Sequence, residues 1–144
     1  METDRITLTS SASSARIDIF NLEPPHPGQP VEHFWVRLKD WHLQAVARVY
    51  AGAAPDLVAY FEDIAAHWTG WSGVRTWESL EHEFRLECAS DHLGHITFIA
   101  FLEADPDQVT WRVRLRVETE AGLLSPLAGQ AKSFFAGRRF AGYC

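Results

Sequence analysis

Hydrophobic and polar residues alternate one by one along several stretches of this chain, which is the period of a half-buried β-strand. The clearest stretch is residues 109–119, where Trp111, Val113, Leu115 and Val117 alternate with arginine and glutamate. Similar alternation predicts further strands over residues 15–22, 31–38, 42–50, 83–88 and 95–103. The turn sequences SDHLG and ADPD separate the last three strands, which predicts an antiparallel meander.

Two other stretches place their apolar residues at helical spacing. The first begins at Pro55, with Leu57, Phe61 and Ile64 on one side, and ends at Gly70. The second lies between Ser125-Pro126 and Gly137, and its start could reach back to Ala121. The order of strands and helices predicts an α+β domain: an antiparallel β-sheet of about five to six strands, with two helices packed on one face.

The chain divides into three parts by composition, and we see no internal repeat in it. Residues 1–13 are rich in serine and threonine, so we expect a flexible N-terminal segment. Residues 14–136 are expected to form a single α+β domain. Residues 137–144, a basic and aromatic tail of sequence GRRFAGYC, match no predicted element.

Composition narrows the function classes. The formal net charge of -6 disfavours nucleic acid and anionic membranes as partners, because both reward positive charge. Two cysteines make no disulfide framework, and the first residues contain no apolar signal sequence. No apolar run approaches the ~20 residues that span a bilayer. We therefore expect a cytoplasmic protein with no membrane partner.

Candidate catalytic and metal-binding residues each have a simpler explanation. Asp91, His92 and His95, with His82 on the paired strand, contain zinc-ligand types, but a turn already explains their polarity. Glu78, Glu81 and Glu83 surround His82 and could provide an acid–base pair, although a solvated start of a strand accounts for them equally. The sequence thus assigns no catalytic, cofactor-binding or metal residue, and predicts no cofactor.

The most distinctive polar feature is the row formed by Arg112, Arg114 and Arg116 on one face of the last strand. Three guanidinium groups at this spacing could bind phosphates or carboxylates, or pair with acidic residues on neighbouring strands. Ile99 and Phe101 are expected beside them, which gives a mixed apolar and charged face typical of protein interfaces. The predicted partner-binding residues are Trp71, Glu83, Glu87, Ile99, Phe101, Arg112, Arg114 and Arg116. Trp71, between glycine and serine after the first helix, is expected to be partly exposed.

Three segments also carry a resemblance: HWTGWSGVRTWESLEHEF, DHLGHITF and LLSPLAGQAKSFF. They resemble an uncharacterised bacterial family, the domain of unknown function numbered 6228, over roughly residues 31–136. The resemblance implies no activity and no functional residue, because the family has none established. The order of elements is also similar to that of small immunity proteins from bacterial toxin systems.

Together these observations favour a non-enzymatic protein-binding domain over an enzyme. Its specific form would be an immunity-type protein that occludes a cognate toxin, with Glu83 and Glu87 steering a basic partner. The alternative is a small-molecule-binding protein or enzyme, with a tryptophan-lined pocket between the helices and the sheet. A homo-oligomer formed through an exposed strand edge is a further possibility.

Overall fold

The computed structural model describes residues 4–108 and 110–141, which form two antiparallel sheets of four strands each and two helices. The first sheet contains β1 (Arg5–Thr9), β2 (Arg16–Glu23), β3 (His33–Asp40) and β4 (Leu43–Tyr50). The second contains β5 (Arg75–Glu78), β6 (Phe84–Ser90), β7 (His95–Glu103) and β8 (Arg112–Glu120). Helix α1 (Ala54–Ala66) follows the first sheet, and helix α2 (Leu124–Phe134) follows the second. In each sheet the strands lie side by side in chain order.

The prediction of an α+β fold with antiparallel strands and two helices is confirmed, but five to six strands in one sheet is wrong. The sequence analysis missed β1 and β5, which have only five and four residues. Strand β1, RITLT, does alternate, but it lies in the segment that its serine and threonine content marked as flexible. The helices contact each other, with α2 beside β1 and α1 beside β5. Alternation identifies a strand, but it does not say to which of two sheets the strand belongs.

The architecture repeats, because four strands followed by a helix occur twice. Both last strands enter their helix through an Ala-Gly pair in one turn of 3₁₀ helix, over Ala51–Ala53 and Ala121–Leu123. Buried positions of the two helices then correspond with a constant offset, as in the pairs Leu57 with Leu127 and Ile64 with Phe134. The sequence analysis found no internal repeat, but the structure contains one in the arrangement of its elements. Core positions demand only apolar side chains of fitting size, so the two halves can share an arrangement with little sequence similarity.

One hydrophobic core joins both sheets and both helices. The inner faces of the sheets meet the apolar sides of the helices around the fully buried side chains of Phe34, Phe61, Phe84 and Phe98. The outer faces of both sheets remain toward solvent and carry the polar residues of each alternating strand.

Both ends of the described chain belong to this body. Residues 1–13 were predicted to be flexible, which is wrong for Arg5–Thr9, because Ile6 and Leu8 are buried and β1 pairs along its full length with β2. In the C-terminal tail, Arg138 donates hydrogen bonds to the carbonyl oxygens of Pro24, His26 and Gln29 at 2.7, 3.1 and 3.2 Å. The tail is therefore fixed to the proline-rich loop before β3. Among the described residues no helix is long and apolar enough to cross a membrane.

Candidate functional site

Six of the eight predicted partner-binding residues lie together on the side of the second sheet that faces away from the core. We call this surface the outer face. Its side chains come from alternate positions of β5 to β8, where most of the intervening residues are buried. It consists of Thr76, Glu78, Arg85, Glu87, Ala89, Thr97, Ile99, Phe101, Glu103, Arg112, Arg114, Arg116 and Glu118.

Strand register places the apolar residues of the outer face between charged ones. Ile99 lies opposite Glu87 on one side and Arg116 on the other. Phe101 lies between Arg85 and Arg114 in the same way. The guanidinium carbon of Arg85 sits 4.2 Å from the centre of the Phe101 ring, within the range of a cation–π contact. This contact fixes the ring in the middle of the face while leaving it half-buried.

The arginine row is only partly paired. The Nε of Arg112 lies 2.6 Å from the Oε1 of Glu103 on β7, which is the cross-strand pairing considered above. Arg116 instead pairs with Glu118 of its own strand, Nη2 to Oε1, at 2.6 Å. No ion pair between described residues includes Arg114, whose neighbour across the sheet is Phe101. Ion pairs this exposed contribute about 0–1 kcal/mol each, so a partner could replace them at little cost.

Glu83 does not belong to the outer face, contrary to the prediction. Its side chain is 6% exposed and lies just before β6, where the strand period has not begun. The carboxylate accepts hydrogen bonds from the backbone N–H of Tyr50 and the hydroxyl of Ser79, both at 2.8 Å. Glu83 therefore joins the end of β4 to the turn before β6, and it is not available to steer a partner.

Trp71 is also misplaced by the prediction, because only 5% of it is exposed. Its indole N–H donates to the backbone oxygen of Cys88 at 3.3 Å, so the ring packs on the inner side of β6. The exposed tryptophan of this region is Trp68, at 61%. The local sequence does not show which of the two tryptophans is buried, because Trp68 lies just before Gly70 and Trp71 lies just after it.

Two tryptophans that the alternative hypothesis assigned to a pocket, Trp71 and Trp77, are buried side chains in the part of the chain that the structure describes. Trp71 is buried as described, and Trp77 donates its indole N–H to the oxygen of Ala53 at 3.3 Å, beside the start of α1. Both rings thus fill space between the helices and the second sheet. A cavity of about 150 Å³ does lie between β1, β8 and α2, but aliphatic and polar side chains such as Leu127 and Gln130 line it.

Apart from the buried Glu83, the acid–base and metal candidates lie at exposed positions in turns and at strand ends. The Nδ1 of His95 lies 2.5 Å from the Oδ2 of Asp91, and His82 pairs separately with Glu78 at 2.9 Å. A hydrogen bond from the backbone N–H of Leu93 is the main reason that the pKa of Asp91 is lowered. Residues 4–108 and 110–141 contain no group of three or more histidine, cysteine or acidic side chains that could hold a metal ion.

A polar cluster that the sequence analysis missed lies on the outer side of the first sheet. The carboxylate of Asp18 is 1% exposed and accepts hydrogen bonds from Thr7, Arg16 and Arg37. Burial alone would raise the pKa of Asp18, but the hydrogen bonds from Arg16, Thr7 and Arg37 outweigh it and hold this pKa below its ordinary value. In the sequence, Asp18 looks like an ordinary polar position of β2. Only the register of β2 with β1 and β3 shows that Thr7 and Arg37 lie on either side of it.

Comparison with known proteins gives a family and a distant structure. The model of a family of unknown function, DUF6228, matches residues 8–138, which is the family that the motifs resemble. No curated protein matches the chain. A solved structure, that of the plant transcriptional regulator PBF-2, is similar with a TM-score of 0.44 and 10% sequence identity. The similarity covers 89% of this chain and 78% of that chain.

Proposed function

We propose that this chain, which belongs to the DUF6228 family, binds another protein through the outer face of its second sheet. The observation that carries the proposal is the position of Ile99 and Phe101. Both lie half-buried in the middle of the face, with arginines on the neighbouring strands. Apolar anchors surrounded by arginine are typical of the residues that dominate binding energy at protein interfaces.

The outer face is also arranged to lose little entropy on binding. The cation–π contact with Arg85 already holds the ring of Phe101 in one place. A ring that is ordered before binding costs less to immobilise in a complex. The exposed arginines, in contrast, are held only by weak ion pairs and can adapt to the partner.

The specific form of this proposal is an immunity-type protein that occludes a cognate toxin. Its support is the small size of the chain, its acidity and a single well-packed body that presents one mixed face. The outer face contains as many arginines as glutamates, namely Arg85, Arg112, Arg114 and Arg116 with Glu78, Glu87, Glu103 and Glu118. With Glu83 buried, the proposal rests on contact with this face and not on acidic steering.

The experiment is capture of partners by the tagged protein from lysate of its native host, read by quantitative mass spectrometry. Four baits are compared: wild type, Phe101→Ala, Arg114→Glu and the matched control Arg48→Glu. Arg48 is an exposed arginine on β4, the last strand of the first sheet, so its reversal changes charge equally at another place.

We expect one protein to be recovered in near-stoichiometric amount with wild type and with Arg48→Glu. Phe101→Ala should weaken its binding about 30-fold, because truncation of an interface anchor costs about 2 kcal/mol. Arg114→Glu should weaken it as well. Equal recovery with all four baits would refute the outer face as the binding surface, and circular dichroism checks that each variant is folded.

A further inference from the structure

We propose that the edge of β8 accepts an extended strand of the partner, in which acidic and apolar side chains alternate. This inference rests on the proposed function, because β8 forms one border of the outer face. It adds the chemistry of the partner segment and the way in which it is held: backbone hydrogen bonds along the edge, and carboxylates opposite the arginine row.

Hydrogen bonds at the end of β8 show which backbone groups point away from the sheet. Ala121, just after β8, donates its N–H to the oxygen of Gly94, just before β7, so by the register of the two strands the odd-numbered residues of β8 bond to β7. Glu118 instead bonds outward, to Ser10 and Ser11. Directions alternate along an antiparallel strand, so the N–H and C=O groups of Arg112, Arg114 and Arg116 also point outward. No hydrogen bond between described residues uses these groups.

The chain itself already uses part of this edge. The N–H of Ser11 donates to the oxygen of Glu118 at 2.8 Å, and the hydroxyl of Ser10 accepts from the N–H of Glu118 at 3.2 Å. This contact shows that the edge is open to another backbone, and it limits the free stretch to Arg112–Arg116. Such a stretch is about 14 Å long, enough for a partner strand of about five residues.

The positive charge of the arginine row determines which side chains of an added strand could lie opposite β8. Arg112, Arg114 and Arg116 project onto the outer face about 7 Å apart, and an added strand would place its side chains about 5 Å from them. Carboxylates at every second position of the partner would meet all three. The net charge of -6 of the whole chain opposes an acidic segment only weakly, because salt screens charges beyond about 8 Å.

The residues of β8 between the arginines determine which side chains the partner segment should carry between its acidic residues. Val113 and Leu115 face the core side of the sheet, and Val113 is only half-buried because β8 is the border strand. Side chains of the partner between its acidic residues would extend this apolar surface. The expected segment therefore alternates acidic with apolar residues, as in a strand that joins a half-buried sheet.

A second copy of the same edge fits poorly. Antiparallel pairing of two free stretches centred on Arg114 would place Arg112 opposite Arg116 and Arg114 opposite its own copy. Like charges directly opposite each other are destabilising in a sheet. The arginine row thus protects the edge from self-association while leaving it available to an acidic strand.

The test is a titration of the full-length protein with a blocked peptide of sequence VEVEVEV, followed by NMR. A peptide in which lysine replaces each glutamate is the control ligand. We expect the acidic peptide to protect the amides of Arg114 and Arg116 from hydrogen exchange, whereas Val113 and Leu115 are protected already. Arg114→Glu should weaken binding about tenfold, and Arg48→Glu should leave it unchanged.

Three results would overturn the proposal. The first is equal binding of the acidic and lysine peptides. The second is binding that shifts Ile99 and Phe101 without protecting the amides of Arg114 and Arg116. The third is a wild-type dimer in light scattering that Arg114→Glu converts to a monomer. If a host partner is captured through Phe101 while the acidic peptide fails to bind, only the edge proposal fails. If capture is independent of Phe101, the proposed function fails first.

Discussion

Glu83 connects the two halves of the molecule, and its replacement should show how much that connection contributes. The side chain is 6% exposed, and its two oxygens accept from the backbone of Tyr50 and the hydroxyl of Ser79. Ser79 in turn accepts from the N–H of Phe84 at 3.0 Å. The carboxylate of Glu83 therefore accepts a hydrogen bond from the backbone of Tyr50, the last residue of β4 in the first sheet. The same carboxylate orders the turn that precedes β6 in the second sheet.

The expected cost of Glu83→Ala is about 3 kcal/mol. Each hydrogen bond to a charged acceptor contributes about 1.5–3 kcal/mol, and removing the acceptor leaves the buried N–H of Tyr50 without a partner. Relief from burying the charge offsets part of this loss. Glu83→Gln should cost only about 1 kcal/mol, because its amide oxygen can still accept from Tyr50 while its NH₂ group faces Ser79.

Urea unfolding monitored by tryptophan fluorescence measures these differences. A loss of about 3 kcal/mol should lower the urea midpoint by about 1.5 M, for a slope near 2 kcal/mol/M. Glu81→Ala is the matched control, because Glu81 lies in the same turn and is exposed. The reasoning is refuted if Glu83→Ala is within about 0.5 kcal/mol of Glu81→Ala, or if Gln and Ala replacements cost the same.

Three further predictions concern stability and reactivity. Asp18→Asn should lower the free energy of unfolding by about 2 kcal/mol at pH 7. Because the pKa of Asp18 is lowered by folding, its contribution is complete above the unfolded value of about 3.9. It is lost as the pH falls through the folded value, so the difference between wild type and variant in urea titrations should shrink progressively below the unfolded value. Burial raises the pKa of the Cys88 thiol, so in a Cys144→Ser variant a disulfide reagent should react about 100-fold faster after denaturation than before. Fast labelling of the native variant would contradict this. Trp71→Ala should destabilise the fold by about 3–5 kcal/mol, whereas Trp68→Ala should change it by less than about 0.5 kcal/mol. Equal effects in urea unfolding would show that Trp71 is not a core residue.

Strand periodicity was sufficient to group most of the outer face. Successive side chains of a strand point to opposite sides, so Ile99, Phe101 and the arginines of β8 fall on one surface once the more apolar side of each strand faces the core. The ADPD turn signal between the two strands predicts that they are antiparallel neighbours. The same local rules gave both helices and their buried positions, since an apolar stripe at helical spacing must face a core.

Local rules failed where the chain leaves regular structure. Glu83 comes before the first residue of β6, so its side chain is not on the side that alternation assigns to it. Trp71 follows a glycine turn, where no period predicts a direction. In both cases the environment is formed by residues distant in sequence, Tyr50 of β4 and Cys88 of β6.

The sequence by itself determined both helices and six of the eight strands, all but β1 and β5, and which side of each is apolar, because those properties depend on neighbours within a few residues. The tertiary structure alone decided that the strands divide into two sheets and that the arrangement repeats. It also decided that β8 borders the second sheet with outward backbone groups at Arg112–Arg116. Borders, buried carboxylates and enclosed tryptophans arise from contacts between distant segments, and the free energy of those contacts is not encoded in any local pattern.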